Sequence, residues 1–160
     1  MTDRPIIRTF VHRSTIGAPA ADVFRWHERP GALLDLMPSR YGVRIERRTG
    51  GIRNGDSLTF SLGVGRLRMV WEARHFGYVR DQQFCDEQVR GPFMLWRHTH
   101  RFDPIDASHS RYEDRIEYAL PGRALVQRLV APLVRALLTQ MFTHRHRTVR
   151  RHVRASGLLR

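Results

Sequence analysis

The chain has no lysine. All 28 of its Lys/Arg positions are arginine, against 15 acidic residues, for a net charge of +13. A GC-rich genome accounts for the replacement. The alternative is selection for bidentate contacts to phosphate or carboxylate, which a guanidinium fork makes and an ammonium does not. Cysteine is nearly absent too: with Cys85 alone, no intrachain disulfide can form and a thiolate zinc site is disfavoured. No run of about 18 apolar residues occurs, which argues against a membrane span. The first eight residues lack an apolar signal core, which argues against export. These absences point to a reducing, cytoplasmic setting. A phosphate-cradling loop is missing as well. Gly63-Val64-Gly65-Arg66-Leu67-Arg68 has Arg68 where a dinucleotide fingerprint needs its third glycine, and a strand pattern follows instead of a helix. No cofactor and no metal is expected, and nicotinamide chemistry, if it happens nearby, belongs to another chain.

Acidic residues are absent from one whole region. From Arg123 to Arg160 there are nine arginines and no Asp or Glu. That asymmetry can steer an acidic partner or an anionic surface. The stretch from His144 to Arg154 reads as a solvated helix end. It has no interleaved aromatics for stacking on single strands and no apolar face for lying in a membrane interface. Specific nucleic-acid binding is therefore not expected.

What is present points to one globular domain over residues 1–160. The length fits a single domain, and 41% hydrophobic residues can bury roughly two thirds of the surface of a chain this size. Phe10 to Ile16 alternates as a strand. Ala18 to His27 reads as a short helix with Pro19 near its first turn, and Ala32 to Met37 as a second, ended by Pro38. Strand patterns then follow at Val43–Arg48, Ser57–Leu62, from Leu67, at Gln82–Val89, at Phe93–Phe102 and at Ser110–Leu120. A long helix closes the chain from about Arg123 to Arg154, with Pro132 expected to kink it. Its wheel groups Val126, Val130, Leu133, Leu137, Met141, His144 and Thr148 on the face expected to meet the sheet. Arg128, Arg135, Thr139, His146 and Arg150 fall opposite.

Alternation sorts the strand faces. Met94, Trp96, His98, His100 and Phe102 share one face, as do Tyr112, Asp114, Ile116 and Tyr118, while Arg111, Glu113, Arg115 and Glu117 form a charged outer face. The expected inner surface carries His12, Asp86, Gln88, His98, His100, Asp114, Tyr118 and His144 among Trp71, Phe84, Trp96, Phe102, Leu137 and Met141. Such a mixture is too polar for a plain core and suits a small-molecule pocket, which is mostly apolar with a few polar anchors. Three readings of His98 and His100 stay open: core histidines paired with acids such as Asp114, polar contacts to a ligand, or two metal ligands with no third one marked. General acid–base work by either histidine with Asp114 is chemically reasonable, but no nucleophile accompanies it.

The motifs Ser14–Phe24, Arg29-Pro30-Gly31-Ala32-Leu33, Gly50–Gly55, Gln88–Phe93 with Trp96–Phe102, Asp114–Pro121 and Met141–His146 resemble the START-like, or SRPBCC, superfamily. The resemblance extends over nearly the whole chain and is nearest to a bacterial branch found alone or fused to an NAD-dependent epimerase-like domain. It implies an α+β helix-grip fold: a curved antiparallel sheet of about seven strands around a long C-terminal helix, with two short helices after the first strand. It implies a cavity between sheet and helix for a small hydrophobic or amphipathic ligand. A polyketide cyclase/dehydrase-type activity is the alternative and an Arg-rich polyanion binder a more distant one. Association with an epimerase-like protein is the expected partnership, and a homodimer stays open. The superfamily has no universal catalytic motif, so no catalytic residue follows from the likeness.

Overall fold

The computed structural model describes residues 5–155. Strand β1 (Ile7–Ile16) leads into helices α1 (Ala20–Glu28) and α2 (Ala32–Leu36), followed by a short 3-10 turn. Strands β2 (Arg44–Thr49), β3 (Ser57–Val64), β4 (Leu67–Val79), β5 (Gln83–Arg90), β6 (Leu95–Pro104) and β7 (Ser110–Ala119) follow, and α3 (Ala124–Ala155) ends the described chain. The strands form one seven-stranded sheet in the order β1-β7-β6-β5-β4-β3-β2, antiparallel at every pairing. This is the helix-grip arrangement: a meander from β2 to β7, with β1 brought to the far side beside β7. A bulge interrupts β4 between Phe76 and Val79. Gly77 sits there with φ of 60°, and a Cβ on it would lie 3.1 Å from Cys85 Sγ. A bulge bends its strand and raises the local twist.

Helix α1 buries Ala20, Val23, Phe24 and His27, the i, i+3, i+4, i+7 spacing of one helical face. Two apolar clusters flank the middle of the sheet. One gathers Val23, Phe24, Phe84, Phe102, Tyr112, Val149 and Val153; the other gathers Phe10, Trp71, Trp96, Ile116, Leu138 and Phe142. On β6 the order Trp96, His98, His100, Phe102 runs from the second cluster to the first. The polar residues thus form a layer between two hydrophobic ones.

The orientation of α3 departs from the wheel. Its buried residues are Gln127, Leu138, Phe142, Arg145, His146, Val149 and Val153, while Val126, Val130, Leu133 and Leu137 are exposed. The buried stripe is displaced by one residue from the expected one (138 for 137, 142 for 141, 145 for 144), which is about 100° of rotation. The N-terminal half of the helix is apolar apart from Gln127, Arg128, Arg135 and Thr139, so its pattern marks a face only loosely. The C-terminal half decides: only this rotation seats Phe142 against Phe10 and brings His146 to Asp114. The stretch from His144 to Arg154 is consequently not a solvated end, since Arg145, His146, Val149 and Val153 are buried. Met94, placed by alternation on the inner face, lies before β6 begins and is exposed. By length and composition alone, α3 is long and apolar enough to cross a membrane, although no uninterrupted apolar run marks it in the sequence.

Candidate functional site

The His-x-His pair on β6 points both imidazoles to one face of the sheet. Register then sets an acid on each side of them. Across β5–β6, Asp86 faces His98; across β6–β7, Asp114 faces His100. Asp114 has no exposed surface. Its Oδ1 lies 2.9 Å from His98 Nε2 and 2.8 Å from His100 Nδ1. Tyr112 donates to the same oxygen at 3.1 Å, and Oδ2 lies 2.9 Å from His146 Nε2. The other nitrogen of His146 is 2.6 Å from Ser14 Oγ, so the network ties β1, β6, β7 and α3 together. His27 joins it at the edge, its Nε2 3.2 Å from the Tyr112 oxygen and its Nδ1 2.8 Å from Val23 O.

Burial and neighbouring charge set the protonation of this layer. Burial alone would raise the Asp114 carboxyl, but His100 and the hydrogen bonds from His100, His146 and His98 hold it well below the usual carboxylate range. Asp86 is likewise lowered, burial being overcome by His98 and His100. For His98 burial favours the neutral form, and the two flanking carboxylates outweigh it, so its pKa is raised. His100 is lowered, first by burial and then by the charge on His98. His27 is pushed down to about 3, mainly by burial. The two carboxylates thus favour the charged form of His98, while burial favours the neutral forms of His100 and His27.

In front of this layer lies a cavity of about 230 Å³. Asp86, His98 and His100 form part of its wall. Trp71, Phe93 and Trp96 form an aromatic cluster, with Trp71–Trp96 edge-on at 5.1 Å and Phe93–Trp96 at 4.9 Å. Leu33, Leu36 and Met37 cover it from α2 and the turn after it, and Leu138, Met141 and Arg145 from α3. Arg145 is buried, and its Nε has no hydrogen-bond partner among the described residues. Its guanidinium lies over the Phe142 ring at 4.9 Å. A buried, unpartnered donor costs stability, and a cavity is where such a cost serves a ligand.

Of the residues expected from sequence, Trp71, Phe84, Asp86, Trp96, His98, His100 and Met141 line the cavity. Asp114 stands behind the histidines. Gln88 instead braces the β5–β6 turn, donating to Phe93 O at 2.7 Å and accepting from Phe93 N–H at 3.2 Å. Tyr118 is buried in the second apolar cluster. Leu137 is exposed and His144 half-buried outside the cavity, both through the rotation of α3. Sequence reasoning missed His27, His75 and Arg145. His27 and Arg145 were signalled by apolar spacing, 20-23-24-27 on α1 and 138-142-145-149 on α3.

A sequence profile described as "Polyketide cyclase / dehydrase and lipid transport" matches residues 16–147. The chain belongs to this family. Its fold is that of the START-like, SRPBCC superfamily. The polyketide cyclase/dehydrase and lipid transport domain described above is similar to the Zhui aromatase/cyclase from Streptomyces sp. R1128 (14% identity, TM-score 0.73, covering 93% of this chain and 94% of that one). It is also similar to norcoclaurine synthase from Thalictrum flavum in complex with dopamine and hydroxybenzaldehyde (15% identity, TM-score 0.73, 93% and 87% covered). A nucleoside-diphosphate sugar epimerase from Corynebacterium glutamicum matches at 23% identity and TM-score 0.71 over 91% of this chain but 29% of that one. At these identities the likeness is one of fold. No curated protein matches the sequence.

Proposed function

We propose that this domain binds one small, largely apolar ligand whose polar end is an acceptor or an anion, such as a carboxylate, phenolate or ketone. The observation that carries this reading is Arg145: buried, lining the cavity, and without a hydrogen-bond partner for its Nε among the described residues. The aromatic and aliphatic wall supplies the apolar contact. A dry cavity of about 150 Å³ takes a benzene, so one of about 230 Å³ suits a ligand of one to two rings. The Thalictrum synthase, with its two aromatic compounds bound, supports a compact ligand of that kind. The Corynebacterium epimerase supports functional association with an epimerase-like protein, since part of that chain has this fold.

A second reading rests on the Asp86–His98–His100 wall. An imidazolium held between carboxylates at a cavity surface is equipped to donate a proton to a carbonyl and to take one back, as a cyclisation or dehydration needs. Native mass spectrometry of freshly purified full-length chain tests the first reading. A retained small molecule that is lost in Arg145→Met supports it; equal retention by wild type and Arg145→Met refutes it. Turnover of that molecule, abolished by His98→Ala, would favour the enzyme.

A further inference from the structure

The wall formed by Asp86, His98 and His100 has an imbalance of acceptors. Asp114 Oδ1 takes the N–H groups of His98 Nε2 and His100 Nδ1, at 2.9 and 2.8 Å. The opposite ring nitrogens, His98 Nδ1 and His100 Nε2, then turn toward one atom, Asp86 Oδ2, at 3.4 and 3.3 Å. With each ring donating a single N–H to Asp114, the three converging atoms offer only lone pairs, and a cation can take the place that a proton on His98 otherwise fills between that ring and Asp86.

The spacing is that of a coordination polyhedron. Ligand atoms about 2.1 Å from a tetrahedral metal ion lie about 3.4 Å from one another. The two edges from Asp86 Oδ2, at 3.4 and 3.3 Å, match this without movement of the backbone, and the ligand atoms of the three residues lie within 4.8 Å of one another. The outer partner needed to orient metal-bound imidazoles is also in place, since Asp114 holds the far nitrogen of both rings. All three residues line the cavity, so a fourth position would open onto it.

We propose that Asp86, His98 and His100 bind one divalent transition-metal ion of the zinc, cobalt or iron(II) class, with an open coordination position facing the cavity. Two imidazoles and one carboxylate suit these ions and disfavour magnesium or calcium, which call for more oxygen ligands. The inference is independent of the organic ligand: Arg145 can hold an anion with or without the ion.

The test uses tag-free, full-length chain stripped with a chelator and titrated with Co²⁺ while visible absorption is followed. Saturable ligand-field bands at one equivalent, bleached by Zn²⁺, are expected. Asp86→Asn, a near-isosteric change at a partly exposed side chain, should weaken Co²⁺ binding at least tenfold while far-ultraviolet circular dichroism stays unchanged. Asp114→Asn, acting only through the histidines, should weaken it about 10–100-fold. His109→Ala, in the exposed turn before β7, should bind as wild type. Absence of saturable binding, or Asp86→Asn binding like wild type, overturns the proposal.

Discussion

Replacing Asp114 by asparagine probes the layer on which the fold and the site both depend. The carboxylate is wholly buried and meets three groups at Oδ1 and one at Oδ2. An amide keeps one acceptor oxygen and turns an NH₂ toward a former donor. If the oxygen stays with His98 and His100, the NH₂ faces His146 Nε2. His146 can then switch tautomer and donate from Nδ1 to Ser14 Oγ, 2.6 Å away, so that contact is largely recovered. The charge is not recovered. His98 loses one of its two carboxylates inside the protein, and breaking a buried charge pair typically costs 3–5 kcal/mol. With the tautomer switch as relief, a loss of about 3 kcal/mol is expected. For a chain of this size that lowers the melting temperature by roughly 6–12 °C. Thermal melts and urea titrations at pH 7, wild type against Asp114→Asn, measure it. A melting temperature within about 2 °C of wild type would refute the reasoning, because it would mean the carboxylate is not needed in charged form.

Four other outcomes are expected. The folded-state pKa of His27, about 3, lies below its unfolded value near 6.5, so its contribution is present above pH 6.5 and is lost as pH falls toward 3. His27→Gln should therefore flatten the acid loss between pH 6.5 and 4.5 by about 1.4 kcal/mol per pH unit in urea titrations, and parallel wild-type and variant curves would contradict this. Arg145→Met should raise the melting temperature by a few degrees, because it removes a buried guanidinium whose Nε has no hydrogen-bond partner among the described residues, and should abolish ligand retention; a lower melting temperature would refute that stability cost. Leu137→Ser and His144→Ala should leave ligand affinity within about twofold of wild type in direct titrations, since neither residue lines the cavity. Attraction to heparin or nucleic acid should be without sequence preference and should collapse by about 0.2 M salt in binding assays, as counterion release requires.

Strands β6 and β7 were legible because their outer faces carry charge at almost every second position. Arg111, Glu113, Arg115 and Glu117 leave no doubt which way Tyr112, Asp114 and Ile116 turn, and β6 repeats the pattern with Arg97 and Arg101. His98 and His100 followed from that alternation, whereas Cys85 and Val89 left the faces of β5, and with them Asp86, ambiguous. The helix side of the site was less legible for a physical reason. A stripe is read from the contrast between two faces, and from Leu125 to Leu138 only Gln127, Arg128 and Arg135 interrupt the apolar residues, too few to fix the face closely. The polar residues that sit on the true stripe, Arg145 and His146, look like surface residues unless a buried carboxylate is known to await them. His27 was hidden differently: the spacing places it on the buried face of α1, but its partner across the core, the Tyr112 oxygen, is set by packing.

The position of β1 has a consequence for how the chain reaches this structure. It pairs only with β7, from Ile7 with Ala119 to Ile16 with Ser110, so the first strand synthesised waits for the last. The meander from β2 to β6 can form from neighbours, whereas β1 must close a loop of about a hundred residues before it gains any ladder hydrogen bond. Closures of that kind slow folding. The same event delivers Ser14 to His146 and Phe10 to Phe142, so the docking of α3 and the arrival of β1 become one step. A nascent chain that stops before residue 110 has strands, but it lacks Asp114 behind its two histidines and lacks Leu138, Met141 and Arg145, the part of the cavity wall that α3 supplies.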